Sequence, residues 1–366
     1  MNGMAKHNQK TMLKNTLTLF ISAIVSFLIL EVGVRVFIPQ DKMITWIEMH
    51  ERGFVMNQSG GIAFHEFENR RVTYRFTSHR TRGNTQLSQD TLTTPILVVG
   101  DSYTFGLLLD EKDTFVSHIQ HWADTSYASD IQFHNAAVGG AGMADWPAWI
   151  KNFGKDISPS KVIYFMNNQD VIRALSKNLF LLPDSTNYTL MSSQRWTPRS
   201  MFKNLSTRGW YRSLQAHSHL MNVFVKLLWK HAYFKDVTHN FSLENSTVPI
   251  PNHSQFNIKS SYSFNLSIAL LHRMQDWCKR NNCELILTNT GYFDPSHTDS
   301  HTLRLHNYLS NTNDFNYIDL YPCVSKSVNG NFSTIQIEND GHPNEQGADL
   351  IATCFINKLP SLLDLP

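Results

Sequence analysis

Two stretches carry side chains that could do covalent chemistry together. The first is Gly100-Asp101-Ser102-Tyr103-Thr104-Phe105-Gly106, set directly behind the apolar run Ile96-Leu97-Val98-Val99. The second lies near the other end of the chain: Asn339-Asp340-Gly341-His342-Pro343-Asn344. A serine hydroxyl is a weak nucleophile. It needs a base to take its proton, and the base needs a group to orient it. Ser102, His342 and an adjacent carboxylate would supply all three, and the chemistry would be acyl transfer from an ester. Gly-Asp-Ser alone is also ordinary turn chemistry; the histidine stretch makes it a candidate site.

These residues need a scaffold that brings distant segments to one place. Residues 96–99 are apolar and mostly β-branched, which reads as a strand buried on both faces. Gly100 permits a sharp turn, leaving Ser102 at the carboxyl end of the strand, where open α/β sheets bind ligands. Further strands are expected over 130–138, 161–166, 284–288 and 317–320. Helices are expected over 114–122, 146–153, 264–280, 302–309 and 347–356. This alternation predicts a parallel, doubly wound sheet. The second strand ends in Gly139-Gly140-Ala141-Gly142, which lacks the spacing and lysine of a P-loop and does not match G-x-G-x-x-G.

The two stretches resemble the first and last sequence blocks of the SGNH (GDSL-type) hydrolases. Gly100 to Gly106 matches the first, and Asp340-Gly341-His342-Pro343-Asn344 followed by Gly347 matches the last. The resemblance covers residues 94–360. It implies a flavodoxin-like three-layer α/β/α sandwich and ester hydrolysis or acyl transfer through Ser102. Asn135 and Gly140 fall where the second block has its Asn and its oxyanion-hole glycine; a glycine lets backbone N–H groups come close to a developing oxyanion.

The sequence departs from the family in two places. The third block is usually Gly-x-Asn-Asp, whose Asn amide completes the oxyanion hole; here the strand ends in Asn167-Asn168-Gln169-Asp170. Asn168 is the preferred donor, with Asn167 and Gln169 as alternatives, since each amide can donate. The family's acid usually stands three residues before the histidine, where this chain has Asn339. Asp340 stands two before. Residues two apart in an extended segment share a face, so Asp340 is the expected orienting acid.

The N-terminus reads as a membrane anchor. Lys6, Lys10 and Lys14 precede an apolar run from Leu17 that continues to Ile38, broken by Glu31 and Arg35. The two charges are four apart and would share a helical face. Residues 16–38 are long enough to span a bilayer, and no small-residue cleavage site follows the apolar core. The expected order is a cytoplasmic terminus (1–15), a transmembrane signal anchor (16–38), a stalk that packs on the main domain (39–93), and a hydrolase-like domain (94–362) with an insertion at 171–262. The flanking lysines place the N-terminus in the cytoplasm, so the domain would lie on the outer side, the periplasm of a bacterium. The insertion includes an expected helix over 210–231 and would serve either as a lid or substrate wall, or as surface elaboration.

Composition narrows the partners. The chain has 366 residues, 42% of them hydrophobic, and a net charge of +2 with no long basic run. It has enough apolar residues for a substantial core and nothing that argues for nucleic acid. The histidines show no metal spacing, so no metal and no cofactor is expected. Four cysteines, Cys278, Cys283, Cys323 and Cys354, form no C-x-x-C pair. Buried free thiols are favoured over two disulfides. The expected function is a membrane-anchored serine esterase acting on O-acyl groups of a glycan or lipid. The alternatives are an O-acyltransferase using the same acyl-enzyme and an inactive glycan-binding module on the same fold.

Overall fold

The computed structural model describes residues 2–83, 93–126, 131–177, 179–182, 191–192, 205, 208–227, 255–292 and 300–359. A long helix, α1 (Asn2–Phe37), leads the chain. Two short antiparallel pairs follow: β1 (Ile47–Met49) with β2 (Val55–Asn57), and β3 (Ile62–Phe67) with β4 (Arg70–Arg75). Five further strands, β5 (Thr94–Gly100), β6 (Ile131–Asn135), β7 (Lys161–Met166), β8 (Glu284–Asn289) and β9 (Asn316–Ile318), form one parallel sheet, and a two-residue antiparallel pair, Phe180–Leu181 with Met191–Ser192, stands apart from it.

Its order is β6-β5-β7-β8-β9. Counted from β5 this is 2-1-3-4-5, the flavodoxin-like winding, whose switch point falls between the first and third strands. That places the candidate site at the carboxyl ends of β5 and β7. The helices are α2 (Ser102–Phe105), α3 (Phe115–Ser126), α4 (Asp145–Ile157), α5 (Asp170–Lys177), α6 (Gly209–His217), α7 (219–227), α8 (Gln255–Arg280), α9 (Ser300–Asn311), α10 (Tyr321–Ser327) and α11 (Glu345–Ile356).

Strand alternation builds the layers. Leu97 and Val99 of β5 face a core with Val162, Tyr164, Leu285 and Leu287, closed by Trp146 and Trp149 of α4 and by Leu270 and Met274 of α8. Ile96 and Val98 face the other way, against Ile163, Phe165 and Ile286, and are covered by Phe115 and Ile119 of α3 and by Ile351 and Phe355 of α11. Each such side chain, fully withdrawn from water, contributes about 1.5–3 kcal/mol. A third, smaller core of Trp46, Val72, Tyr74, Phe76 and Phe105 seats the β3–β4 hairpin on α2. The result is a three-layer α/β/α sandwich with one apolar helix ahead of it.

Several sequence expectations need correction. The second strand ends at Asn135, not at 138, although Ala136 and Val138 still donate to the Val98 and Gly100 carbonyls of β5 (2.9 and 3.0 Å) before the glycine turn. The helix expected over 264–280 starts earlier, at Gln255. Over its described part, to residue 227, the helix expected over 210–231 is two helices broken at Ser218, whose extended backbone (φ −109°, ψ 119°) closes α6; residues 228–231 lie outside the described residues. The cysteines are not all free: Cys323 of α10 and Cys354 of α11 form a disulfide, while Cys278 and Cys283 remain thiols. The polar stretch 84–92 and most of 183–207 and 228–254 lie outside the described residues.

Candidate active site

Ser102 is presented by a turn that admits little variation. A Cβ added at Gly100 would meet Thr104 Oγ1 at 2.2 Å and the Phe165 carbonyl at 2.8 Å. The turn therefore requires glycine. Asp101 caps α2, its carboxylate accepting from the Tyr103 N–H at 2.9 Å. Its other oxygen takes the Arg173 guanidinium at 2.8 Å. Asp101 is wholly buried and holds the turn from behind, while Ser102 is 7% exposed.

His342 reaches Ser102 from a loop after β9. In that loop Ile337 donates to the His342 carbonyl (2.7 Å), and Asp340 and Gly341 donate back to Ile337 (3.2 and 3.0 Å). His342 Nε2 lies 2.7 Å from Ser102 Oγ. Its Nδ1 is hydrogen-bonded to Asp340 Oδ1, which also accepts the His342 backbone N–H at 3.2 Å. Burial alone would raise the Asp340 pKa, but its hydrogen bonds to His342 hold the carboxyl below the usual range. Asn339 has φ +59° and turns outward, donating to Glu68 Oε1 at 3.0 Å. Of the two residues that compete for the acid position, the structure brings Asp340 to the imidazole and sends Asn339 to the hairpin.

Two other elements brace this loop. Tyr103, next to the serine, donates to the Gly341 carbonyl at 2.9 Å and lays its ring 4.9 Å from that of His342. Arg70 of β4 pairs with Glu345 in the first turn of α11 at 2.8 Å. Asn344 caps that helix, accepting from Gly347 at 2.9 Å. Sequence reasoning did not single out Tyr103, Glu68 or Arg70. Tyr103 carried a signal by its place beside Ser102; Glu68 and Arg70 carried none.

The expected oxyanion donors sit at the same sheet edge. Gly140 has φ +71° in a turn closed by Ala141 N–H to the Val138 carbonyl at 3.0 Å, and that angle favours glycine. Asn135 ties this turn to α2: its amide donates to the Thr104 carbonyl at 3.0 Å and its oxygen accepts from Ala137 at 3.1 Å. Asn168 is half-buried and donates to the Tyr292 carbonyl at 3.2 Å. Asn167 is buried, with its side-chain oxygen 3.4 Å from the Gln169 N–H, and Gln169 is exposed. Asp170 lies beneath them, accepting from Tyr164 and from the Asn167 N–H at 2.7 and 2.9 Å. Burial, then the Asp101 charge, pushes its pKa up.

Among the described residues, no group of three or more His, Cys, Asp or Glu is placed to hold a metal ion. No protein-family model matches the chain, and no curated protein sequence matches it. Solved structures do. A structure of TesA is 15% identical, covering 74% of this chain and 99% of its own, with a TM-score of 0.41. The esterase EstA from Pseudoalteromonas sp. is 13% identical over 74% of this chain and 99% of its own, with a TM-score of 0.40. Axe2, an acetylxylan esterase from Geobacillus stearothermophilus, is 12% identical over 73% of this chain and 94% of its own, with a TM-score of 0.40.

Proposed function

We propose that this chain is a membrane-anchored serine esterase that cleaves O-acyl esters, with acetyl the favoured group, from a glycan or lipid. The observation that carries the reading is the continuous line from Ser102 Oγ to His342 Nε2 at 2.7 Å and from His342 Nδ1 to the Asp340 carboxylate. In this mechanism Ser102 Oγ attacks the ester carbonyl while His342 takes its proton. Asp340 fixes the tautomer and offsets the imidazolium charge. The Ser102 and Gly140 backbone N–H groups and the Asn168 amide hold the oxyanion. His342 then protonates the leaving alkoxide, and an acyl-Ser102 ester remains. Water, deprotonated by His342, attacks that ester and releases the acid.

The anchor is α1. It is long and apolar enough over Lys14–Phe37 to cross a membrane, and none of that stretch is buried. Its retention after folding is supported by Glu31, which accepts three hydrogen bonds from residues 218–220. A cleaved leader would leave those donors without their partner. The Cys323–Cys354 disulfide fits an oxidising compartment outside the cytoplasm.

The test is turnover of p-nitrophenyl acetate and longer acyl esters by the full chain in detergent, beside Ser102→Ala. Turnover lost in the variant is the expected result. A Ser102 acyl-enzyme that resolves only when a sugar hydroxyl is added would make the chain a transferase. Failure to form any acyl-enzyme would make it a binding module.

A further inference from the structure

The helix pair α6–α7 has features that the catalytic reading does not use. Its joint at Ser218 is fastened to α1 by the two charges that interrupt the apolar run. Glu31 accepts from Ser218 Oγ (2.8 Å) and from the first backbone N–H groups of α7, those of His219 (3.0 Å) and Leu220 (2.9 Å). Arg35 donates to the His217 carbonyl at the end of α6 (3.0 Å) and to Glu31 (3.1 Å). An anion thus meets a helix start and a cation meets a helix end, the favourable sense for both dipoles. The next segment adds one more tie, Gln40 N–H to His219 Nδ1 at 2.8 Å. On the other side, Arg212 of α6 reaches Gln58 and Glu48 of the folded body at 3.2 and 3.4 Å.

The same two helices turn apolar side chains outward. Trp210 (58% exposed) and Leu214 lie one turn apart on α6, and Phe224 (55% exposed) and Leu227 lie one turn apart on α7. At the level of the joint α1 also exposes apolar side chains, among them Leu28, Val32 and Val36. Glu31 lies inside the apolar run, about 10 Å along the helix from its end at Ile38 at 1.5 Å per residue. That matches the depth of about 5–10 Å at which interfacial helices bury their apolar faces. A tryptophan on such a face suits the headgroup boundary.

We infer that α6 and α7 form an interfacial platform. They lie in the plane of the bilayer that α1 crosses, and they seat Trp210, Leu214, Phe224 and Leu227 among lipid at the headgroup–acyl boundary. The platform rests on the reading of α1 as a membrane span. Its occupant is lipid, because these helices are hydrogen-bonded to α1 within the segment that is long and apolar enough to cross a membrane, and they expose large apolar side chains there. Through Arg212 the platform also fixes the tilt of the catalytic body over the membrane.

The full chain, with Cys278 and Cys283 replaced by serine, would be reconstituted in phosphatidylcholine–phosphatidylglycerol vesicles. A single cysteine carrying a polarity-sensitive fluorophore would be placed at Leu214, at Leu227, at Val25 within the apolar stretch of α1, or at Lys112, an exposed residue of the turn before α3. The expected result is quenching of the Leu214 and Leu227 labels at least threefold more by shallow than by deep lipid-borne nitroxides. Val25 should respond to the deep nitroxide, and Lys112 only to aqueous iodide. Labels at 214 and 227 that respond only to iodide, with Val25 still deep, would overturn the platform and leave the anchor standing. A Val25 label open to iodide would overturn the anchor and the platform with it. A thermal melt of each labelled chain checks that it is folded.

Discussion

The two halves of the Ser102–His342 pair are held by different means. Ser102 stands on the sheet: β5 is buried, Gly100 turns under Thr104, and Asp101 caps a four-residue helix. All of these parts lie within a few residues of one another. His342 stands on a loop with no strand beneath it. It is held by contacts from elsewhere: Tyr103 to Gly341, Glu68 to Asn339, Arg70 to Glu345, and the disulfide that brackets the loop. Ser102 is positioned mainly by its own turn, with Arg173 and Asn135 bonded to Asp101 and Thr104, whereas His342, beyond its loop's bonds to Ile337, depends on the N-terminal hairpin and on a covalent staple. Loss of the Ser102 hydroxyl should therefore act on chemistry alone, since it leaves that turn intact, whereas damage around His342 should divide between rate and stability.

The sharpest break of that comparison is at the acid. Asp340→Asn should lower kcat by about 10⁴-fold, the scale of the analogous change in a serine protease. Asn339→Ala should leave the rate within a few-fold, because its amide serves only the hairpin. Equal, small losses in the two variants would remove Asp340 from the mechanism. Next in size is the staple. Cys323→Ser opens a cross-link between residues 31 apart, which should destabilise by about 3–4 kcal/mol on a chain-entropy account. An unchanged melting temperature would show that the loop holds without it.

The fold was largely legible in the sequence, and the site only by halves. β7 was readable to the residue, because Lys161–Met166 is an apolar run between polar flanks. The serine turn was readable for the same local reason. The hairpin's part was not. β4 alternates clearly, and it reads as an ordinary half-exposed strand wherever it packs. No pattern inside residues 62–75 announces a partner at 339 or 345. The break at Ser218 was also hidden, since apolar residues recur at helical spacing across it and the cap that ends the first helix comes from Arg35. The disulfide was one of several pairings that four cysteines permit, and spacing does not choose among them.

Smaller effects sharpen the comparison. Arg70 and Glu345 are both substantially exposed, so Arg70→Ala should cost about 0.2–1 kcal/mol after solvent screening and lower kcat less than fivefold. Adding Glu345→Ala should add little to either loss, and additive losses would show that the two side chains act separately. The least effect is in pH. Asp340 has a native pKa below its unfolded one, so its contribution to stability is present above about pH 4 and is lost as pH falls through the native value. The difference in melting temperature between the parent and Asp340→Asn should therefore shrink on acidification. A difference that grows toward acid would reverse the assigned sign.

The separation of the two halves along the chain also bears on how the protein is made. Ser102 and His342 are 240 positions apart, and Arg70 and Glu345 are 275 apart. At about 5–20 residues per second, the ribosome emits the nucleophile roughly 10–50 s before the base. Throughout that interval the nascent chain carries a serine with nothing to take its proton. On the proposed mechanism, activity begins only once His342 has emerged, so chains cut short before that residue would be inert toward esters.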